Sequence, residues 1–327
     1  MNAVERIKKL SGQRPYDAFV LGGSLVEQVI PVSALPLPGQ ANVDFEEMFQ
    51  LPGGSGANVA VFLSRLGRKV RFFDVWGKDD DGEFMSKCLR NEGVEVSQCR
   101  WQEKAPTAFM LILTLPNNDW SGIIRIPGEV LPNREDINSE FIRDAAILHI
   151  HGFSFRTDES TAAVEKAIRY ARSAGTIVST DACTPLAERE PQRLSHFFHL
   201  SDVVFTNQYE ASCITGCSEI AESLDYLRSL GPDLAIIKAG SNGAFASFEE
   251  EQIHLPAPQV EVVDTIGAGD ALVAGTLAGI LAGEDVASAL SLGVGTASLV
   301  IQGHGAQSFH FDLKDVEELV NSLDYSP

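Results

Sequence analysis

Short apolar runs recur along this chain, each followed by a segment with helical spacing, and this alternation limits the possible folds more than any other feature. "YDAFVLGG" (16–23), "KVRFFDVWG" (69–77), "AAILHIHG" (145–152), "TIVSTDA" (176–182), "DVVFTN" (202–207) and "LAIIKAG" (234–240) read as buried strands. "GSGANVAVFLSRLG", "DDGEFMSKCLRNEG" and "STAAVEKAIRYARSAG" carry apolar residues at helical intervals and close on glycine. Strands alternating with helices predict right-handed crossovers, and so an α/β fold with a mainly parallel central sheet flanked by helices. From Gly267 onward the pattern is chiefly helical.

Two stretches interrupt the alternation. "EQVIPVSALPLPGQANVDFEEMFQLPGG" and "TAFMLILTLPNNDWSGIIRIPG" are β-rich, with turn signals at Pro38-Gly39 and Asn117-Asn118. They are expected to form an antiparallel β flap, a lid spanning about 27–50 and 105–127, inserted into one domain over 16–327. Residues 1–15 are then an N-terminal extension. With 327 residues, 44% of them hydrophobic, the chain can bury a sizeable core. No run of about 18 apolar residues occurs and the N-terminus is polar, so the expected location is cytoplasmic, away from membranes. The five cysteines form no CxxC pair and read as reduced, mostly buried thiols. A net charge of -20 argues against nucleic acid as a partner. An anionic ligand would need local dipoles, a metal ion or a few placed cations.

One stretch, "VDTIGAGDALVAG" (263–275), is built for such a ligand. Glycine at a helix start lets unpaired backbone N–H groups approach an anion, and the helix dipole favours negative charge there. No GxxxxGK[ST] occurs, and a dinucleotide fingerprint would need a third glycine where Leu272 stands. Asp270 is the unusual residue. An acid beside an anion-binding loop is costly unless it handles a proton, and a carboxylate there can accept the proton of an alcohol attacking a phosphoryl group. Gly267, Ala268 and Gly269 would hold the charge on the transferred group.

These residues, Asp264-Thr265-Ile266-Gly267-Ala268-Gly269-Asp270, resemble the late signature of the ribokinase-like, PfkB-type carbohydrate kinases. "PGGSGANVAVFLSRLG", "VWGKDDDGEF", "NQYEASCITG", "IIKAGSNGA" and "GHGAQ" resemble further family segments in the same order, so the likeness covers nearly the whole chain. It implies a ribokinase-like three-layer body of nine-stranded type with a small β-sheet lid. It also implies ATP as co-substrate, Mg²⁺, and phosphorylation of a hydroxymethyl group on a small sugar or sugar derivative. By resemblance Asp270 is the catalytic base, Gly267, Ala268 and Gly269 are the anion hole, and Asn207 and Glu210 hold Mg²⁺ largely through water. Lys238, Gly240, Gly243 and Thr265 lie along the nucleotide with Asn207, Gly267 and Gly269. Glu27, Gly53, Gly54, Asn58 and Asp270 line the sugar site, and Glu129 is a further candidate contact. A monovalent cation such as K⁺ near Asp264, and a homodimer through the lid, are implied in the same way. Two departures concern the substrate: Glu27 replaces the usual sugar-binding Asp, and Leu25 stands where ribose-specific members carry Asn. A third, Asp74 for the first glycine of GxxGxDxxG, has no reading from sequence.

Other signals compete. His149 and His151 share a strand face and could ligate a metal, but no third ligand lies at a recognised spacing. His196 and His199 could meet across a helical turn without a Glu partner. "GKDDDGEF" resembles a calcium loop but has Cys88 at the twelfth position, so a solvated turn is the better reading. Trp76 and Arg156 are weaker candidate contacts. Besides a sugar kinase, the alternatives are a nucleoside kinase, a nicotinamide-dependent oxidoreductase and a non-catalytic sugar sensor. The missing third glycine counts against the oxidoreductase, and the retention of Asp270 and Glu210 counts against the sensor.

Overall fold

A computed structural model describes residues 1–39, 43–116 and 120–322. After a helix, Ala3–Leu10 (α1), the chain enters Tyr16–Leu21 (β1), Leu25–Pro31 (β2) and Phe49–Gly53 (β3), then Ser55–Arg65 (α2). Val70–Phe73 (β4) and Val75–Gly77 (β5) lead into Asp80–Asn91 (α3). Arg100–Gln102 (β6), Phe109–Thr114 (β7) and Trp120–Arg125 (β8) follow, then Ser139–Arg143 (α4), Ala145–His151 (β9), Asp158–Ala174 (α5) and Ile177–Asp181 (β10). Next come Thr184–Arg189 (α6), Pro191–His199 (α7), Val203–Asn207 (β11), Gln208–Thr215 (α8), Ile220–Ser229 (α9) and Leu234–Lys238 (β12). A hairpin of Ala244–Phe248 (β13) and Glu251–Leu255 (β14) precedes the helices Ala268–Ala282 (α10), Val286–Val300 (α11) and Leu313–Ser322 (α12).

The main sheet has the order β14-β13-β12-β11-β10-β9-β1-β4. It is parallel from β12 to β4 and antiparallel at β13 and β14. Among the described residues it therefore has eight strands, not nine. Side chains alternate between its faces: Ala18 and Val20 of β1 join one hydrophobic core with residues of α1, α2, α10 and α11, while Phe19 and Leu21 join the other with α4 to α9. The three layers follow from that alternation. Strand order reverses at β1, whose neighbours β4 and β9 lie on opposite sides. A reversal of this kind opens a crevice at the carboxyl ends of the strands, where α/β sheets bind ligands.

The lid is a separate four-stranded sheet of order β3-β2-β7-β8. The expected antiparallel flap is corrected here, because β2 and β7 pair in parallel and only the outer pairs, β2–β3 and β7–β8, are antiparallel. The reason is topological: β2 and β7 both leave the body in the same direction, and each turns back through its own hairpin partner. The turn signal at Asn117-Asn118 lies outside the described residues. "KVRFFDVWG" also divides, since Asp74 ends β4 and Val75–Gly77 pairs instead with β6 in a small two-stranded sheet.

Residues 1–15 hold more than an extension. Asn2 and Glu5 form a reciprocal capping box at the start of α1, and Ala3, Val4 and Ile7 are buried in the core beneath it. Burying Val4 and Ile7 is worth about 1.5–3 kcal/mol each, so α1 is a working part of the body. No helix among the described residues is long and apolar enough to cross a membrane. All five cysteines are free.

Candidate active site

The carboxyl ends of β1, β9, β10, β11 and β12 deliver Gly23, His151, Asp181, Asn207 and Lys238 to one pocket of about 750 Å³. Opposite them stand Gly267, Gly269 and Asp270 at the N-terminus of α10, and the lid closes the third side. Gly267 is the N-cap, with φ 83°, which places Asp270 in the third helical position. Asp270 is therefore not the capping residue. Its carboxylate Oδ2 accepts a hydrogen bond from Asn58 Nδ2 at 2.8 Å, and Asn58 Oδ1 in turn accepts one from Gln307 Nε2 at 2.8 Å. This relay fixes which end of the Asn58 amide faces the acid. Asn58 thus positions Asp270 in addition to lining the pocket. Burial pushes the Asp270 carboxyl above its ordinary value against the opposing effects of Asn58 and Lys238.

Glu27 sits on β2, 5% exposed, at the pocket wall. Burial, reinforced by the charge of Asp270, raises its carboxyl to about 7, although an N–H of Gly54 stabilises the charged form. Glu27 Oε2 is buried with no hydrogen-bond partner, on a side chain that lines the pocket. Gly53 makes this possible. A Cβ there would collide with Glu27 Oε1, so glycine at 53 leaves the space that the carboxylate occupies. Gly53 supports the wall from behind, while Gly54 lines the pocket.

Asp74 now has a role. It accepts hydrogen bonds from Ser24 N (2.8 Å), Ser24 Oγ (2.6 Å) and Val75 N (2.9 Å). Trp76 Nε1 donates to the same Ser24 Oγ at 2.8 Å. Together they lock the corner between β1 and β2 from which Glu27 projects. Trp76 is fully buried and does not line the pocket; it supports that corner from behind. Burial lifts the Asp74 carboxyl to about 6.

Asn207 and Glu210 form a capping box on α8: Asn207 Oδ1 accepts from Glu210 N at 2.7 Å, and Glu210 Oε2 accepts from Asn207 N at 2.8 Å. Glu210 Oε1 accepts from Thr184 Oγ1 at 2.9 Å. Each oxygen keeps an unused lone pair, so this all-oxygen set fits Mg²⁺ held through its waters better than by direct ligation. Lys238 Nζ lies 2.7 Å from both oxygens of Asp181. It also lies 3.4 Å from where a Cβ on Gly269 would stand, beside the start of α10. Burial disfavours the Lys238 ammonium, but Asp181 and then Glu210 and Asp270 outweigh it and hold its pKa up. Gly240 and Gly243 stand outside the pocket lining, in the turn between β12 and β13, where a side chain at 243 would strike Leu255 O. Glu129 is exposed on the short turn Gly128–Val130, and its neighbours Val130 and Leu131 face the pocket in its place. Thr265 lines the pocket, and Ala268 begins α10.

The histidine pair separates. His149 Nδ1 meets Ser179 Oγ at 3.1 Å in the sheet interior, fully buried, whereas His151 faces the pocket. His151 groups with Asp181 and Asp270, each offering an atom within 4.8 Å of the others, but Lys238 already occupies both Asp181 oxygens. Asp79, in the stretch resembling a calcium loop, caps α3 and accepts from Thr107 of the lid strap. Arg156 is exposed over the face of Phe153, 5.9 Å from its centroid. Sequence reasoning missed Asp181, Thr184 and Gln307. Asp181 had a signal, an acid at the carboxyl end of a parallel strand, whereas Gln307 reaches the site only through tertiary packing.

The model for the pfkB family of carbohydrate kinases matches residues 18–312. The 5-dehydro-2-deoxygluconokinase of Halalkalibacterium halodurans is 24% identical over 324 residues, covering 95% of this chain and 96% of its own. The aminoimidazole riboside kinase of Salmonella typhimurium is 28% identical over 251 residues, 73% of this chain and 78% of that one. Among solved structures, an E. coli protein in complex with ATP and Mg²⁺ superposes with TM-score 0.84 at 21% identity, covering 94% of this chain and 100% of that one. The adenosine kinase of Sinorhizobium meliloti gives 0.83 at 21%, covering 93% and 98%.

Proposed function

This chain belongs to the pfkB family of carbohydrate kinases and is an ATP-dependent sugar kinase; we propose that it phosphorylates a hydroxymethyl group of a small sugar or sugar derivative, with Asp270 as the base. One observation carries the reading: a buried carboxylate held by Asn58 in the first turn of α10, facing a pocket whose wall offers the unpartnered Glu27 Oε2. The acceptor hydroxyl donates its proton to Asp270 as its oxygen attacks the γ-phosphorus, and ADP leaves. The N–H groups of Gly267, Ala268 and Gly269 at the positive end of α10 take up the charge on the transferred phosphoryl oxygens. Glu27 accepts acceptor hydroxyls and so sets which carbon reaches Asp270. Asn207 and Glu210 would hold Mg²⁺ through its waters, and the ion would supply neutralising charge at the nucleotide phosphates. The lid keeps bulk water from competing with the acceptor.

A second reading within the class is a nucleoside kinase, favoured by the apolar lid side of the pocket and by the riboside and adenosine kinases among the relatives. A monovalent cation is assigned to the loop that Asp264 braces, where Oδ1 accepts from Ile266 N and Oδ2 from Gly305 N. A homodimer is assigned to the lid, whose Met48, Phe49 and Ile123 are exposed. The test of function is ADP release from MgATP with pentoses, ketohexoses and nucleosides offered singly. Acceptor-dependent release with one of them supports the reading, and ATP binding without any acceptor-dependent release, anionic sugars included, contradicts it.

A further inference from the structure

Among the described residues, the acidic and basic groups lining the pocket, apart from His151, are five carboxyls and one ammonium: Glu27, Asp74, Asp181, Glu210, Asp270 and Lys238. The ammonium is already matched by Asp181 at 2.7 Å through both oxygens. Burial and the nearby Lys238 hold His151 well below its ordinary pKa, so its imidazole is neutral. The amides of α10 and Lys238 lie at the phosphoryl end, so no cation among the described residues remains for a negative charge on the acceptor. The acidic groups around the acceptor are Asp74 on the body side and Glu27 on the lid strand β2. The apolar lining is Met110 and Ile124 of the lid, with Ile126, Val130 and Leu131 just after it and Phe153 after β9. Two arginines in neighbouring segments do not change this. Arg125 donates to Thr107 O and lies over Phe109, and Arg156 is exposed over Phe153; neither lines the pocket.

Resting on the kinase reading above, we propose that the acceptor is uncharged, a polyol with an apolar face turned to the lid, and that sugar acids and sugar phosphates are excluded by charge. A carboxylate on the acceptor would exchange water for apolar side chains or for carboxylates, with no cation among the described residues to offset the loss. Mutual repulsion is already present in the resting pocket, since Asp270 helps to raise Glu27. An uncharged acceptor meets neither cost: its hydroxyls reach Glu27 and Asp270, and its carbon-bound hydrogens pack on Met110 and Ile124. The named activity of the H. halodurans relative, a gluconate derivative as acceptor, therefore does not transfer to this pocket.

The test compares kcat/KM with MgATP for pairs that share a carbon skeleton, such as a ketose or polyol against its aldonic acid and its phosphate ester. The expected result is a preference for the neutral member on the order of 10² or more, the size of an unpaired buried charge. Met110→Lys, which places an ammonium on the lid face, should lower that ratio by about tenfold or more. An acid turned over as well as its neutral counterpart would overturn the proposal while leaving the kinase reading intact. A ratio unmoved by Met110→Lys would also overturn it, because the selection would then not be electrostatic. Absence of turnover with any member, neutral or acidic, would sink the kinase reading and this proposal with it.

Discussion

Replacing Glu27 by glutamine should make the protein more stable and a poorer enzyme, and the stabilisation should depend on pH. Burial holds the Glu27 carboxyl at about 7 against its ordinary 4.5. Below pH 4.5 the group is protonated in both folded and unfolded chains, and folding carries no ionisation cost. Between 4.5 and about 7 the folded chain binds more protons than the unfolded one, so stability falls as pH rises, and the loss is complete above 7. That interval corresponds to about 3 kcal/mol. The amide of Glu27→Gln never ionises, so the variant escapes the loss. Thermal unfolding of both proteins without sugar, at pH 5 and pH 8, checks this; titrating groups that do not interact with Glu27 are common to the two and cancel, and the Asp270 carboxyl, relieved of the Glu27 charge, adds to the variant's advantage. The variant's advantage in Tm should widen by about 5 °C between pH 5 and pH 8. At the same time its apparent sugar affinity should fall by about 10–100-fold, the worth of a hydrogen bond to a charged acceptor. A Tm difference that is the same at both pH values would refute the reasoning, because the carboxylate would then not be the destabilising element.

Gly53→Ala should fold but displace the Glu27 side chain, raising the sugar KM by about tenfold or more with little change in the KM for ATP; equal effects on both would show a general distortion. Lys238→Met leaves Asp181 buried without its partner and should cost about 3–5 kcal/mol in denaturant unfolding. Adding Asp181→Leu should restore much of that stability but not the turnover. A double variant no more stable than the single one would mean that the pair is not the source of the loss.

The body was legible in the sequence because a parallel sheet covered on both faces demands apolar strands, and "YDAFVLGG", "AAILHIHG" and "TIVSTDA" meet that demand without tertiary information. The helix start at Gly267 and the placement of Asp270 were legible for a similar reason: the glycines serve a local backbone geometry. What was not legible depends on long-range pairing. The parallel contact of β2 with β7 joins residues about 80 apart, and the alternating pattern of each strand is the same whether its partner is parallel or antiparallel. NxxE reads equally as a cation site and as a helix start, and Asn207 and Glu210 are placed so that one arrangement serves both. Asp74 could not be interpreted because its partners, Ser24 and Val75, include a residue 50 positions away. The relay from Gln307 through Asn58 to Asp270 spans 249 positions in its first step alone, beyond any local motif.

Phosphoryl transfer by Asp270→Asn addresses the mechanism most directly. The substitution keeps the shape of the side chain and its place in the first turn of α10, and removes only the capacity to accept the acceptor's proton. With a substrate found for the wild-type protein, the variant should bind MgATP normally and transfer phosphate about 10²–10⁴-fold more slowly at saturating acceptor. Turnover within a few-fold of wild type would contradict the assignment of Asp270 as the base.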